Sequence, residues 1–438
     1  MIVLQFLVVL LFVFIGARLG GIAIGLAGGA GVIVLGLLGL QVDPKTGVPW
    51  DVLGIIICVI AAIAAMQAAG GLELLVYRTE RLLRSRPSNI TFMAPVVTYF
   101  MTVLSGTGQI AFSTLPVIAE VSKEAKIRPS RPLSIAVVAS QMAIVASPIS
   151  AATVAMAAVL EPMGVDFIKM LTISGICTLT GCMIAAFVAS RLGCELEDDP
   201  IYQDRLARGL VSQSDPAARE NFTPRKGAAL SLIIFAVTLV VVVLYSTAIS
   251  ESVGLISDPT IDRSAAIMTF MMLAALLIVV FCKVEPPAVI ETPTFRAGMN
   301  AAVCITGVAW LGNTFVQNHV EDIERIGGDV IHDHPWMLAI VLLLASALLY
   351  SQAATTIALM PVAAGMGVSA SALLASFPAV TGLFLLPTYT TVVAAIELDD
   401  TGTTRIGKYL FNHSFMIPGL VAVASSIALG FVIAPVLI

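Results

Sequence analysis

Residues 78–131 read RTERLLRSRPSNITFMAPVVTYFMTVLSGTGQIAFSTLPVIAEVSKEAKIRPSR. Their charges decide the fold. Arg78, Arg81, Arg84 and Arg86 precede the apolar segment 91–120, and Lys123, Lys126, Arg128 and Arg131 follow it. Basic residues beside membrane segments collect on the cytoplasmic side, so both flanks belong to one side. A single crossing puts them on opposite sides, and two crossings need about 20 residues each. The 30 residues of 91–120 fit a re-entrant hairpin. Ser105, Gly106, Thr107, Gly108 and Gln109 form its tip, where glycine permits a tight turn.

The rest of the chain agrees with a membrane reading. Of its 438 residues, 58% are hydrophobic and 12% charged, and the mean hydropathy is +0.99; a soluble domain carries about 25% charged residues. Apolar segments fall at 1–17, 20–40, 52–70, 91–120, 132–160, 167–191, 228–249, 264–282, 297–316, 336–366, 370–396 and 410–438. The first begins without a basic region and is followed by Arg18, the reverse of a cleaved signal, so it is expected to be retained as a span. Cys58, Cys177, Cys182, Cys194, Cys282 and Cys304 lie within or beside apolar segments with no C-x-x-C spacing, and read as small apolar residues. With the hairpin accepted, 19 of the 23 basic residues fall on the cytoplasmic side, leaving Lys45, Lys169, Arg263 and Arg325. Both termini are then expected outside, in the periplasm of a Gram-negative cell.

The polar stretch 194–227 divides the chain into halves, 1–193 and 228–438. Each half repeats one order: three spans, an amphipathic stretch, a hairpin, a proline-broken span and a last span. The hairpins are 91–120 and 336–366, the broken spans 132–160 and 370–396. Leu72, Leu75, Val76, Thr79, Leu82 and Leu83 make one face of the first amphipathic stretch, and Val316, Val320 and Ile323 that of its partner. QIAFSTLPVIA (109–119) aligns with ATTIALMPVAA (354–364), and ASPISAATVAMA (146–157) with LLPTYTTVVAAI (385–396). The predicted fold is an all-α polytopic membrane protein of two inverted-topology repeats, a pattern of secondary transporters.

Four polar interruptions lie within apolar segments: Ser105 to Gln109, Ser147-Pro148-Ile149-Ser150, Ser351 to Thr356, and Pro387-Thr388-Tyr389-Thr390-Thr391. Backbone leaves helical form at membrane depth only where protein or a wet cavity satisfies it. Beyond each gap a half-helix starts, and each N-terminal end acts like roughly half a positive charge. Four converging ends complement a dianion without a buried arginine. The expected binding residues are Ser105, Gly106, Thr107, Gly108, Gln109, Ser147, Pro148, Ser150, Ser351, Gln352, Thr355, Thr388, Tyr389 and Thr390. Taken singly, each hydroxyl more often packs helices than binds a ligand, whereas the amides of Gln109, Gln141, Asn313 and Gln352 are harder to satisfy. Gly21, Gly25 and Gly29 have small-xxx-small spacing, for close helix packing or a dimer contact. His332 and His334 are poor evidence for a metal. In Asp399-Asp400-Thr401-Gly402-Thr403-Thr404-Arg405, a capped turn competes with a gating pair of Asp400 and Arg405.

At these residues the chain resembles the Dcu family of anaerobic C4-dicarboxylate transporters. The matching stretches are GARLGGIAIGLAGGAG, LPVIAEVSKE, ASPISAA, VAWLGNTFV, HPW, SALLYSQAAT and DDTGTTRIGK, spread from end to end. The resemblance implies a bacterial inner-membrane carrier that exchanges or takes up fumarate, succinate, malate or aspartate. It further implies an elevator-like scaffold with a moving transport domain, and a homodimer. It would place Ser105 to Gln109, Ser147 to Ser150, Ser351 to Thr355 and Thr388 to Thr391 around the pocket. No cofactor and no nucleic-acid partner are expected, although Na+ or H+ coupling is open. The alternative is a sodium- or proton-coupled carrier of another small organic anion. A passive channel is a further reading; an intramembrane enzyme lacks its motif, having no H-E-x-x-H.

Overall fold

The computed structural model describes residues 1–19, 22–48, 50–211, 224–249, 255–256, 259–319, 334–349, 351–387, 389–407 and 412–438. In the first half the principal helices are α1 (Ile2–Leu19), α2 (Ala23–Leu37), α3 (Trp50–Ala68), α4 (Gly71–Ser85), α5 (Ile90–Ser105), α6 (Ala111–Glu124), α7 (Ser130–Met142), α8 (Ala151–Leu160) and α9 (Phe167–Ala189). A short α10 (Pro200–Ala207) follows. The second half holds α11 (Ala228–Ala248), α12 (Arg263–Phe281), α13 (Pro293–Gln317), α14 (Met337–Leu349), α15 (Gln352–Gly365), α16 (Ala370–Ser376), α17 (Thr390–Leu398) and α18 (Met416–Leu437). Among the described residues, six helical stretches are long and apolar enough to cross a membrane. The protein is an all-α, multi-pass membrane protein.

Local chemistry explains the ends. After α3 the chain bends by 72° into α4, through Gly70 at φ 88°, where glycine alone is unstrained. α4 buries Leu74, Thr79 and Leu83. Leu82, assigned to that face by periodicity, is instead exposed. Val316 belongs to the long α13, while Val320 and Ile323 lie outside the described residues. Proline does not break every helix it enters, since Pro95, Pro116 and Pro361 sit inside α5, α6 and α15.

Packing sorts the helices into two bodies. One hydrophobic core runs through α5–α9 and α14–α18. Three smaller cores join α1, α2, α3, α11, α12 and α13. Few core residues cross between them; Ile149, Val154, Ala155 and Ile357 do. Within the second body α2 and α13 are almost in backbone contact. A Cβ at Gly307 would lie 1.8 Å from the Gly25 carbonyl oxygen, and one at Gly25 2.2 Å from that of Val303. Gly25 thus serves close packing within this chain, Gly29 has nothing within 4 Å, and Gly21 lies outside the described residues.

The pairing of helices has a symmetric form. α5 packs on α7, and α14 packs on the 3-10 segment Phe377–Phe384 that continues α16. α15 packs on α8, and α6 on α17; α2 packs on α13, and α3 on α12; α9 and α18 pack on each other.

Charged loops gather at two opposite ends. At one, Arg84 reaches Glu80, Glu120 and Glu124, Lys126 reaches Glu197 at 2.7 Å, Arg128 reaches Asp199 at 2.5 Å, and Arg131 reaches Glu195 at 3.0 Å. At the other, Arg263 meets Glu161 at 2.9 Å, and Asn318 donates to the Gln41 carbonyl at 3.0 Å.

Candidate functional site

The first hairpin turns between α5 and α6. Gly106, at φ 67°, closes α5, and its N–H donates to the Thr102 carbonyl at 2.8 Å. A Cβ there would meet Ile149 at 2.9 Å, so the tip rests on the gap of the neighbouring broken helix. Gly108 faces the Ser140 carbonyl, 3.3 Å from where its Cβ would be. Thr107 caps a short 3-10 turn by accepting from the Gln109 N–H at 3.3 Å. The gap itself lies between the 3-10 turn Ala143–Ala146 and α8. Ser147 spans the two elements by donating to the Val103 carbonyl at 2.8 Å. Ser150 caps α8, accepting from the Thr153 N–H at 3.2 Å.

The second half offers two further helix starts. Ser351 caps α15 by accepting from the Ala354 N–H at 3.1 Å. α17 begins at Thr390 with Tyr389 as its cap residue and no capping bond from that side chain. Thr388 lies outside the described residues, and Pro387 before it is buried. Gln141 of α7 donates to Thr391 Oγ1 at 3.4 Å, tying one broken helix to the other. Because α15 packs on α8 and α6 on α17, the four starts belong to one body.

The hydroxyls in these gaps are mostly committed to the protein. Ser105 donates to Thr107 O at 3.1 Å, Ser150 to Ile144 O at 2.6 Å, and Thr355 to Ser351 O at 2.8 Å. Their protons therefore hold backbone in place, the packing role that periodicity alone left open. Amides remain. Gln352 is 6% exposed, and its Nε2 has no hydrogen-bond partner; neither has Gln141 Oε1. A buried donor left unmade costs about 1–3 kcal/mol. Gln109, Thr107, Pro148, Ser351 and Tyr389 are partly exposed, and Thr390 is exposed. Asn313 is not available, since it donates to the Gly47 carbonyl at 2.9 Å. No acidic or basic side chain stands in the four gaps; the field at the gaps is that of helix ends and amides.

The loop after α17 differs from expectation. Asp400 is paired with Lys123 of α6, at 2.8 Å, rather than with Arg405, which is exposed. Lys123 lies near the end of the hairpin and is aimed across at the second half, so the nearer arginine loses to tertiary packing. The capped turn, the other reading of this stretch, is built by Asp399. It is 3% exposed, accepts from the Thr401 and Thr404 N–H groups and from both the Thr401 and Thr403 hydroxyls, and so builds the turn. The D-x-T-x-T spacing is the signal for it, because a short carboxylate reaches N–H groups two residues on. His332 and Asp333 lie outside the described residues, and among the described residues no group of three metal-ligating side chains comes together.

Comparison with known proteins adds identity. A family profile described as an anaerobic C4-dicarboxylate membrane transporter matches residues 1–438. The chain is 55% identical over 438 residues to the C4-dicarboxylate transporter DcuA of Wolinella succinogenes, covering 100% of both. It is 50% identical over 434 residues to DcuA of Escherichia coli K12, covering 99% of each. The anaerobic C4-dicarboxylate transporter DcuB of Escherichia coli is 35% identical over 441 residues, with 98% of each covered. The chain therefore belongs to the DcuA/DcuB family of membrane transporters, and it is a transporter rather than an enzyme.

Proposed function

We propose that this protein exchanges or takes up C4-dicarboxylates (fumarate, succinate, malate or aspartate) across the bacterial inner membrane. The end-to-end likeness to DcuA proteins carries this reading. In this proposal the cargo binds at the helix starts. Four helix starts in one body present N–H groups, with Gln352 Nε2 as a further buried donor, and their summed positive ends complement two carboxylates.

Alternating access follows an elevator-like scheme in this proposal. The separate cores support it: α5–α9 with α14–α18 form the carrying body, and α1–α3 with α11–α13 the frame. Ile149, Val154, Ala155 and Ile357 form an apolar seam, and Arg263 of α12 meets Glu161 after α8 across it. The reciprocal helix pairing supports two inverted repeats, 1–193 and 228–438, joined by 194–227. The clustering of Arg84, Lys123, Lys126, Arg128 and Arg131 at one end supports a cytoplasmic face there, with both termini in the periplasm. Homodimerisation and coupling to Na+ or H+ complete the proposal.

Reconstitution tests it. Proteoliposomes loaded with succinate are expected to take up labelled fumarate or aspartate, saturably and faster than empty vesicles. Uptake of citrate, sulfate or monocarboxylates in preference would favour the alternative carrier, and unsaturable uptake without counterflow a channel.

A further inference from the structure

Beyond the helix gaps, a second place among the described residues is shaped for an anion. A cavity of about 510 Å³ opens between the start of α7, the end of α9 and the loop that leads into α18. That is within the roughly 300–1,000 Å³ of small-molecule pockets. Arg128, Arg131 and Arg405 line it, with Ser130, Ser414 and His413, and no aspartate or glutamate does.

These cations are not equivalent. Arg128 and Arg131 are held by Asp199 and Glu195, from outside the cavity wall. Arg405 has no ion pair among the described residues and is exposed. His413 is 7% exposed; its Nε2 donates to the Leu385 carbonyl at 3.2 Å, and its Nδ1 lines up with no partner. A cavity walled by guanidinium groups, one of them without an ion pair among the described residues, is an electropositive site open to an anion. Bidentate guanidinium recognition selects carboxylate geometry.

We infer that this cavity is a second dicarboxylate site, a vestibule at the basic end of the molecule, apart from the four helix starts. Arg405 holds one carboxylate there, in the field of Arg128 and Arg131. The inference rests on the proposed transport of dicarboxylates, and it assigns Arg405 a binding role in place of the pairing with Asp400.

Isothermal titration of the full-length protein in lipid nanodiscs with succinate tests it. Two classes of binding are expected. Arg405→Gln should weaken only one of them, by about tenfold, the loss of one charge-assisted contact, and Arg405→Lys should retain most of it. Gln352→Met should weaken the other class. Sulfate filling the second class while succinate does not would overturn the assignment to a carboxylate. A wild-type protein that exchanges succinate but shows one binding class, unaltered by Arg405→Gln, would overturn the vestibule alone; a protein that binds no dicarboxylate at all would remove the transport reading instead.

Discussion

Replacing Gln352 by methionine separates binding from stability, because the two should move in opposite directions. The side chain is 6% exposed and its Nε2 is unpartnered. In the empty protein that donor costs about 1–3 kcal/mol of unmet desolvation. Methionine has nearly the same length and needs no partner, and such volume-conserving swaps usually cost less than about 1.5 kcal/mol. The empty variant should therefore be as stable as the parent, or more so by about 1 kcal/mol. With succinate the sign reverses. A hydrogen bond to a charged group contributes about 1.5–3 kcal/mol, so its loss should weaken binding roughly 10- to 150-fold. Thermal unfolding in detergent, with and without succinate, reads both quantities: an unchanged or raised midpoint without ligand, and a reduced ligand-induced rise. A Gln352→Met protein with parental affinity would refute the reasoning, whatever its midpoint.

Three further outcomes follow from the same geometry. Gly307→Ala places a methyl 1.8 Å from the Gly25 oxygen; α2 and α13 must part, costing at least about 1–3 kcal/mol and lowering the unfolding midpoint, whereas Gly29→Ala, with nothing within 4 Å, should leave it unchanged. Lys123→Ala, Asp400→Ala and their double variant should show a coupling of roughly 0.5–3 kcal/mol in unfolding or uptake, with an additive result removing the link between the first hairpin and the loop after α17. Burial lowers the proton affinity of His413 against the opposing Leu385 bond, in a cavity also lined by Arg128, Arg131 and Arg405. A depressed histidine stabilises the fold above its free value of about 6.5 and loses that contribution as pH falls below it; stability should drop as pH falls below about 6.5, with a shallower drop in His413→Gln.

Much of the body built on α5–α9 and α14–α18 was readable because its signals are local. Prolines 148 and 387, Gly106 and the short polar runs lie where helices end, since a missing N–H or a left-handed turn acts on its immediate neighbours. The basic flanks of 91–120 were equally plain, and their partners Glu120 and Glu124 lie at the end of α6, Glu195 and Glu197 on the loop after α9. What stayed hidden depends on elements far apart in sequence. Lys123 finds Asp400 across 277 positions, and Gly25 finds Gly307 and Val303 on α13. The hydroxyls of Ser105, Ser147 and Ser150 looked like binding groups, yet their donors are used by carbonyls that only the folded gap brings close. The capped turn of Asp399 was legible, because a short carboxylate acts on N–H groups of its own turn.

The claim on which the rest depends is that backbone N–H groups at four helix starts, rather than a cationic side chain, hold the dicarboxylate. Locating bound succinate in the protein by electron cryomicroscopy addresses it directly. Density is predicted between the Gly106–Gln109 tip, the start of α8 after Ser150, Gln352 of α15 and the start of α17. Succinate found solely beside Arg405 and His413, with those four starts closed on one another, would contradict it.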